Sequence, residues 1–559
     1  MLYRSMGVVL LTAAFFACGN DSPGPTITCT ASQTNSISLV VGGYTSIDQP
    51  CISFSANPST TDTGEYLVVA HSAGGSPGVT ASYQLTSTHA NSSAAATQMV
   101  AQRISTARPG GLVAAQFDQL MRERARASVT AVPGGVSAST MSPAAAPYDS
   151  QYVGKVRIFP KVCANLGCTT YRSVTAHVLA VSGHVAIYVD DNMPGDINTA
   201  GDSGIDSLAL TFDQHVYAVD KVSFGDEPDI DNNHVIIALL TGQVNALITD
   251  RSSCFTTGYV AGYFNSQDLD LQVASLYNNG EIMYGLVPDA SGQYSCPHSR
   301  ASVLRILPPT FLHEFQHMIN YTAHVRVRRG NAEDIWLDEA LANFAEELGG
   351  RSFLPGGVLG VNPSADSIFY RYALDDLNDA YMYLEDPQDH FLLSPTDANL
   401  PDNGGAWMFV RYLVDQTYDS ITHKLVNTSL TGTSNITSAT GQPCTNWIAG
   451  WSLANWISDL PGFSAPPQLS YKSWQFRQAF PLLRTLNPGG SYPYDFPLVP
   501  LVSMGSQVNV VGILHVGSGL YIRVKQPPSG GSFTLALTGP FDAPLPPGMT
   551  PRLEVIKIH

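Results

Sequence analysis

The sequence carries little charge: Asp, Glu, Lys and Arg make up 13% of its 559 residues. That excludes a coiled coil, and a hydrophobic content of 44% excludes a chain that is mainly disordered. A basic excess is missing as well. With 28 Lys and Arg against 45 Asp and Glu, the net charge is −17, and no basic run stands out. Nucleic acid and anionic lipid surfaces are therefore not expected partners. An acidic balance of this kind serves solubility outside the cytoplasm.

Long apolar runs are also absent. The longest is Gly7 to Ala17, behind Arg4. It is too short for the ~20 residues a bilayer demands, and of the right length for a signal-peptide core. It ends in Phe15-Phe16-Ala17-Cys18-Gly19, ahead of the polar stretch Asn20 to Pro25. A small residue directly before Cys, with a polar tether after it, resembles a bacterial lipoprotein processing site, although Phe15 stands where Leu is usual. The expectation is an exported protein with a lipoprotein-type signal peptide at 1–18, a tether at 19–26 and a lipidated Cys18. An ordinary signal peptide cleaved nearby is the alternative. Membrane contact would be through lipid alone, at a bacterial cell envelope (outer membrane or surface), or else the protein is secreted.

Cysteine is sparse, at eight residues. Apart from Cys18, three local pairs are expected as disulfides in an exported chain: Cys29–Cys51, Cys163–Cys168 and Cys254–Cys296, with Cys444 left free and buried. None of these spacings is that of a zinc ribbon.

What is present is a chain too long for one core. Short alternating runs at Ser36 to Val41, Glu65 to Ala70 and Ala81 to Leu85 predict a small β-sandwich-like domain over 27–90. A helical segment around Leu112, Phe117, Leu120 and Met121 and an Ala/Ser/Pro linker fill 91–147, as a spacer or a pro-segment. From Tyr148, strands are expected at Val153 to Val162, Tyr171 to Asp190 with a break at Ser182-Gly183, His234 to Thr241, Tyr259 to Phe264 and Glu281 to Val287. A helical stretch follows over 351–462, with Trp407, Val410, Leu413 and Val414 on one stripe, and a C-terminal β domain is expected over 463–559.

Within the middle block, His313-Glu314-Phe315-Gln316-His317 places two histidines four residues apart, on one face of a helix. That spacing lets both imidazoles reach one Zn²⁺ at about 2.0–2.1 Å, with Glu314 beside the open position as a general base. The helix is expected to start at Pro308-Pro309, where proline is tolerated. A second amphipathic helix, Ile335 to Leu348, buries Trp336, Leu337, Ala340, Leu341, Phe344 and Leu348. Its Glu339, Asn343 and Glu346 share another face, at i, i+4 and i+7. Glu339 is the candidate third ligand. Asn343 and Glu346 are candidates to orient a histidine, although residues so placed are more often plain helix surface. A metzincin would need Gly and His where Asn320 and Ala323 stand; His324 falls off the ligand face.

These residues resemble a known family. His313 to Asn320 and Trp336-Leu337-Asp338-Glu339-Ala340-Leu341 look like the hyicolysin-type neutral zinc metallopeptidases, of the gluzincin group. The resemblance extends over about 150–460, through Phe224 to Asp231, Val260 to Phe264, Asn279 to Tyr284 and Gly405 to Leu413. It implies an α+β zincin-like catalytic domain with an upper part at 148–350 and a helical lower part at 351–462, flanked by N- and C-terminal all-β domains. It further implies zinc-dependent endopeptidase activity on a protein or peptide substrate, with His313, His317 and Glu339 as ligands and Glu314 as base. Trp336 to Glu339 is also similar to the zinc aminopeptidases, but the Gly-x-Met-Glu-Asn box of that family is absent, as is a Tyr just ahead of Gly404-Gly405. A surface adhesion protein on the same fold, without turnover, is the alternative from another class. Tyr370, Tyr372, Tyr381 and Tyr383 are candidate transition-state donors by proximity in sequence only, and each reads more readily as a packing residue.

Asp226-Glu227-Pro228-Asp229-Ile230-Asp231 offers oxygens at alternating positions, so Asp226, Asp229 and Asp231 are candidate Ca²⁺ ligands. The turn lacks the Gly and terminal Glu of an EF-hand, and a hydrated acidic turn fits it equally.

Overall fold

The computed structural model describes residues 26–29, 35–87, 98–99, 112–127, 152–193, 197, 203–252, 254–354, 367–395, 399–418, 420–486 and 492–559. Cys18, the tether and the 129–147 linker lie outside the described residues.

Six strands precede residue 100: β1 (Asn35–Ile37), β2 (Tyr44–Ile47), β3 (Cys51–Phe54), β4 (Gly64–Ser72), β5 (Thr80–Ser87) and β6 (Gln98–Met99). The middle block supplies β7 (Val156–Cys163), β8 (Tyr171–Val181), β9 (Val185–Asp190), β10 (Ile236–Leu240), β11 (Gly262–Phe264) and β12 (Ile282–Gly285). The last five are β13 (Leu501–Met504), β14 (Asn509–His515), β15 (Gly519–Gln526), β16 (Phe533–Thr538) and β17 (Pro551–Lys557). The fold is mixed α+β.

The two ends of the chain do not make two β domains. Their strands interleave in two sheets, ordered β1-β3-β16-β5-β14-β6 and β13-β15-β4-β17-β2. β4 lies between β15 and β17, antiparallel to both. β5 lies likewise between β14 and β16. Local patterning shows where strands are, but not which distant strand completes a sheet, so the separate domains expected at 27–90 and 463–559 become one sandwich. Phe54 and Phe533 stack at 4.3 Å in its core, with Val68, Ile522 and Val555 fully buried around them. The other face of β4 turns Leu67 and Val69 into the main core of the molecule. That double burial explains why Tyr66 to Ala70 reads as a continuous apolar run. The C-terminal boundary moves too: a helix, Phe476–Leu486, follows residue 463, and its Phe476 and Phe480 pack into the main core.

The middle sheet is ordered β11-β12-β10-β9-β8-β7. Its inner strands β9, β10 and β12 run parallel, while β11 is an antiparallel edge. β10 is apolar throughout (Ile236 to Leu240) because both its faces are covered. The helix carrying HEFQH runs Arg300–Tyr321, capped by the Ser299 hydroxyl, which accepts the Ser302 N–H. It therefore starts a full two turns before Pro308 and Pro309, which sit inside it. Neither proline can donate to the carbonyl four residues back, so the helix there is held by packing, not by its own ladder. The helix lies against the β11 edge, where a Cβ on Gly262 would come within 2.7 Å of Thr310 Cγ2.

The helical part contains Ile335–Arg351, Ser367–Glu385, Leu400–Gln416 and Cys444–Ile457. Gly404 brings two of these into backbone contact, since a Cβ there would meet the Asp379 carbonyl carbon at 2.1 Å. The expected disulfides Cys29–Cys51, Cys163–Cys168 and Cys254–Cys296 are formed. Cys444 is free, and burial pushes its thiol up to about 12. Among the described residues, no helix is long and apolar enough to cross a membrane.

Candidate metal centre

His313 and His317 project from one face of the Arg300–Tyr321 helix, and Glu339 faces them from Ile335–Arg351. Each offers a donor atom, and the three atoms lie within 4.8 Å of one another. Glu339 Oε2 is 3.3 Å from His313 Nε2, and Oε1 is 3.7 Å from His317 Nε2. Neither contact has hydrogen-bond geometry: both Nε2 atoms and Glu339 Oε1 are buried without a partner. Three converging donors that satisfy nothing else in the protein are what a metal ion would complete.

The electrostatics agree. Burial alone would depress the His313 imidazole, but Glu339 and Glu346 outweigh it and hold the pKa well above the usual value. Burial alone would raise Glu339, but His317 and His313 outweigh it and hold the carboxyl below its usual range. Asp118, Glu314, Asp338, Glu339 and Glu346 crowd around two histidines and one buried guanidinium, Arg122. A dication fits that excess of negative charge.

The second face of the Ile335–Arg351 helix holds the histidines from behind. Glu346 Oε1 accepts from His313 Nδ1 at 2.9 Å, so Glu346 is not plain helix surface. Burial pushes its carboxyl up to about 7. Asn343 lies beside the site and lines the cleft, with no hydrogen bond to a histidine. The residue that faces His317 is instead Asp338, whose Oδ1 stands 3.2 Å from Nδ1 and also accepts from the Asn320 amide. Burial would raise Asp338, but His317 and Arg122 dominate and hold it down at about 2. Its signal was present in sequence, in the Trp-Leu-Asp-Glu run one position before the ligand candidate. Asn320, read only as a failed metzincin position, is what fixes that aspartate.

Glu314 is 3% exposed. Its Oε2 accepts the Phe264 N–H from β11 at 2.8 Å, which fixes one oxygen and aims the group. Arg122 Nη2 lies 3.9 Å from the same oxygen. Arg122 comes from the helix Leu112–Ala127, within the stretch expected to be a spacer or pro-segment. Phe117 and Met121 of that helix are buried in the main core, Phe117 packs edge-on against Tyr263 at 5.2 Å, and Asp118 lines the cleft. Nothing in the local sequence links this helix to the motif.

The cleft above the site has a volume of 540 Å³. Tyr259, Ala261 and Gly262 line one side, and Tyr370, Asp376 and Met382 the other. Of the four candidate tyrosines only Tyr370 reaches it. Tyr372 is packed in the core, while Tyr381 donates to the Tyr494 carbonyl and Tyr383 shares a hydrogen bond with Ser518. His324 is fully buried and bonded to the Leu425 carbonyl, away from the ligands.

The acidic turn differs from its expected form. Asp226 faces Lys221 at 2.7 Å and takes no part in a cluster. Asp229 and Asp231 come together instead with Glu281, with one oxygen of each within 4.8 Å of the others. Among the described residues these and the His313 group are the two sets close enough to share an ion. Burial, reinforced by Asp231 and Asp229, pushes Glu281 up to about 8.

No family model matches the chain, and no curated protein matches it.

Proposed function

We propose that this chain is a zinc-dependent metalloendopeptidase with a zincin-like catalytic domain, hydrolysing peptide bonds in proteins. The observation that carries the reading is the convergence of the unpartnered donors of His313, His317 and Glu339 beside a fixed Glu314 at the floor of a cleft. Zinc held there would supply a Lewis acid for the scissile carbonyl and for the attacking water. Glu314, anchored by the Phe264 N–H, takes the proton from that water and later delivers it to the leaving amine. Glu346 accepts from His313 Nδ1 and would fix that imidazole with Nε2 toward Glu339, while Asp338 sets a carboxylate 3.2 Å from His317 Nδ1. Ala261 and Gly262, which line the cleft beside β11, would run alongside an extended peptide, and Tyr370, the one candidate tyrosine lining the cleft, is our candidate to meet the developing oxyanion. An adhesion protein without turnover would need the donors but not Glu314 fixed beside them.

Export and lipidation at Cys18 belong to the same proposal. Casein cleavage by purified protein, with and without a chelator, tests the enzymatic reading alongside Glu314→Gln. Wild type is expected to cleave and the variant to lose roughly 10²–10⁴-fold of the rate with its zinc retained. Zinc bound at one equivalent with no cleavage would sink it. Palmitate incorporation that disappears in Cys18→Ser tests the anchor.

A further inference from the structure

The Asp229, Asp231 and Glu281 cluster takes no part in the chemistry proposed above. Glu281 opens the β12 strand; its carbonyl accepts the Ile237 N–H of β10 at 2.7 Å. Its side chain is 1% exposed. One oxygen, Oε1, accepts the Ile230 N–H at 2.6 Å, while Oε2 is buried with no partner at all. Among the described residues no Lys, Arg or His forms an ion pair with it. Arg326 senses its charge but donates to the Leu269 carbonyl. An isolated buried carboxylate costs several kcal/mol unless a proton or a cation neutralises it.

The surroundings favour the cation. Asp229 and Asp231 each bring an oxygen within 4.8 Å of Glu281. Two ligands on opposite sides of a Ca²⁺ ion are about 4.6–5.2 Å apart, because each bond is about 2.3–2.6 Å. All three oxygens can therefore reach one ion. The set is oxygen-only, which suits a hard cation and not zinc. Two partners of the aspartates stand at the rim, a guanidinium and an imidazole. Arg157 Nη1 is 2.9 Å from Asp231 Oδ2, and His234 Nδ1 is 2.7 Å from Asp229 Oδ2. Neither reaches Glu281, so the innermost carboxylate stays uncompensated. Gly280 leaves the approach open, since a Cβ there would come 3.1 Å from Asp231 Oδ2.

We propose that Asp229, Asp231 and Glu281 form a Ca²⁺ site that ties the turn before β10 to the start of β12. This site is separate from the HEFQH centre and does not depend on the peptidase reading. The test is equilibrium dialysis of the zinc-loaded full chain against labelled Ca²⁺ at roughly 1 mM, the range used by extracellular modules, with thermal melts in parallel. Wild type is expected to bind one Ca²⁺ and to melt higher with it. Glu281→Gln should weaken binding at least tenfold and abolish the thermal response, with zinc content unchanged. Should that variant fail to fold, Asp231→Asn at the half-buried rim serves the same purpose. No Ca²⁺ bound by wild type, or variants that bind like wild type, would overturn the proposal and leave a protonated Glu281 as the reason for its burial.

Discussion

Arg122 Nη2 lies 3.9 Å from Glu314 Oε2, although the two residues come from opposite sides of the middle sheet in sequence. The guanidinium is 3% exposed and also reaches the Phe264 carbonyl, next to the N–H that holds Glu314. One side chain thus contacts both Glu314 and the strand that holds it. Arg122→Met is expected to lower kcat on a peptide substrate about tenfold while KM and zinc content change little, because positioning and not binding is lost. Arg122→Lys should recover part of the loss. Equal falls in kcat and in zinc occupancy would show a structural role only.

The two orienting carboxylates act on different histidines. Glu346→Gln and Asp338→Asn are each expected to weaken zinc binding by about 10–100-fold, measured by competition with a chromophoric chelator. Glu339→Ala, which removes a donor outright, should weaken it further than either. A Glu339→Ala protein that keeps full zinc would show that the third ligand lies elsewhere.

Asp459 gives a pH prediction away from the site. Its backbone has φ +46. Burial pushes its carboxyl up to about 6, against a smaller opposing pull from Arg477. A raised carboxyl stabilises the fold fully below its unfolded value near 4, and that contribution is lost as pH rises through about 6. Asp459→Asn cannot ionise, still accepts the Arg477 N–H and tolerates the left-handed backbone. Thermal melts should find it more stable than wild type above pH 6, by up to roughly 3 kcal/mol, and equal to it well below pH 4. An advantage that persists at pH 3 would point to another cause.

The interleaved sandwich predicts how the chain behaves when cut. A protease site placed in the 129–147 linker should give two fragments that remain together on gel filtration, because β4 and β5 are paired on both sides with strands from the far end. They should separate only in denaturant. Separation in plain buffer would mean that the first half of the sandwich is a detachable domain.

Much of the site was legible because it is local. Four-residue spacing puts His313 and His317 on one helix face, and the next amphipathic helix brings Glu339 and Glu346. The strands of the middle sheet were visible from their apolar runs, including the break at Ser182-Gly183. What was not legible depends on contacts between distant segments. Nothing near Arg122 or Phe117 announces that their helix packs behind Glu314. Asp226 looked as suitable as Asp229 until Lys221 claimed it and Glu281 arrived from β12. Helix propensity likewise gave no hint that the Arg300–Tyr321 helix runs through two prolines, since packing against β11 decides that.

The pairing of β4 also sets an order of events for a newly made chain. The Tyr66-Leu67-Val68-Val69-Ala70 run emerges early, but the strands that cover its two edges begin at Gly519 and Pro551. For most of synthesis it is an apolar strand with open edges, the kind of segment that joins the wrong neighbour. Closing a sheet across so much sequence is slow. Gly64–Ser72 is therefore a stretch that a chaperone would shield before the last strands arrive.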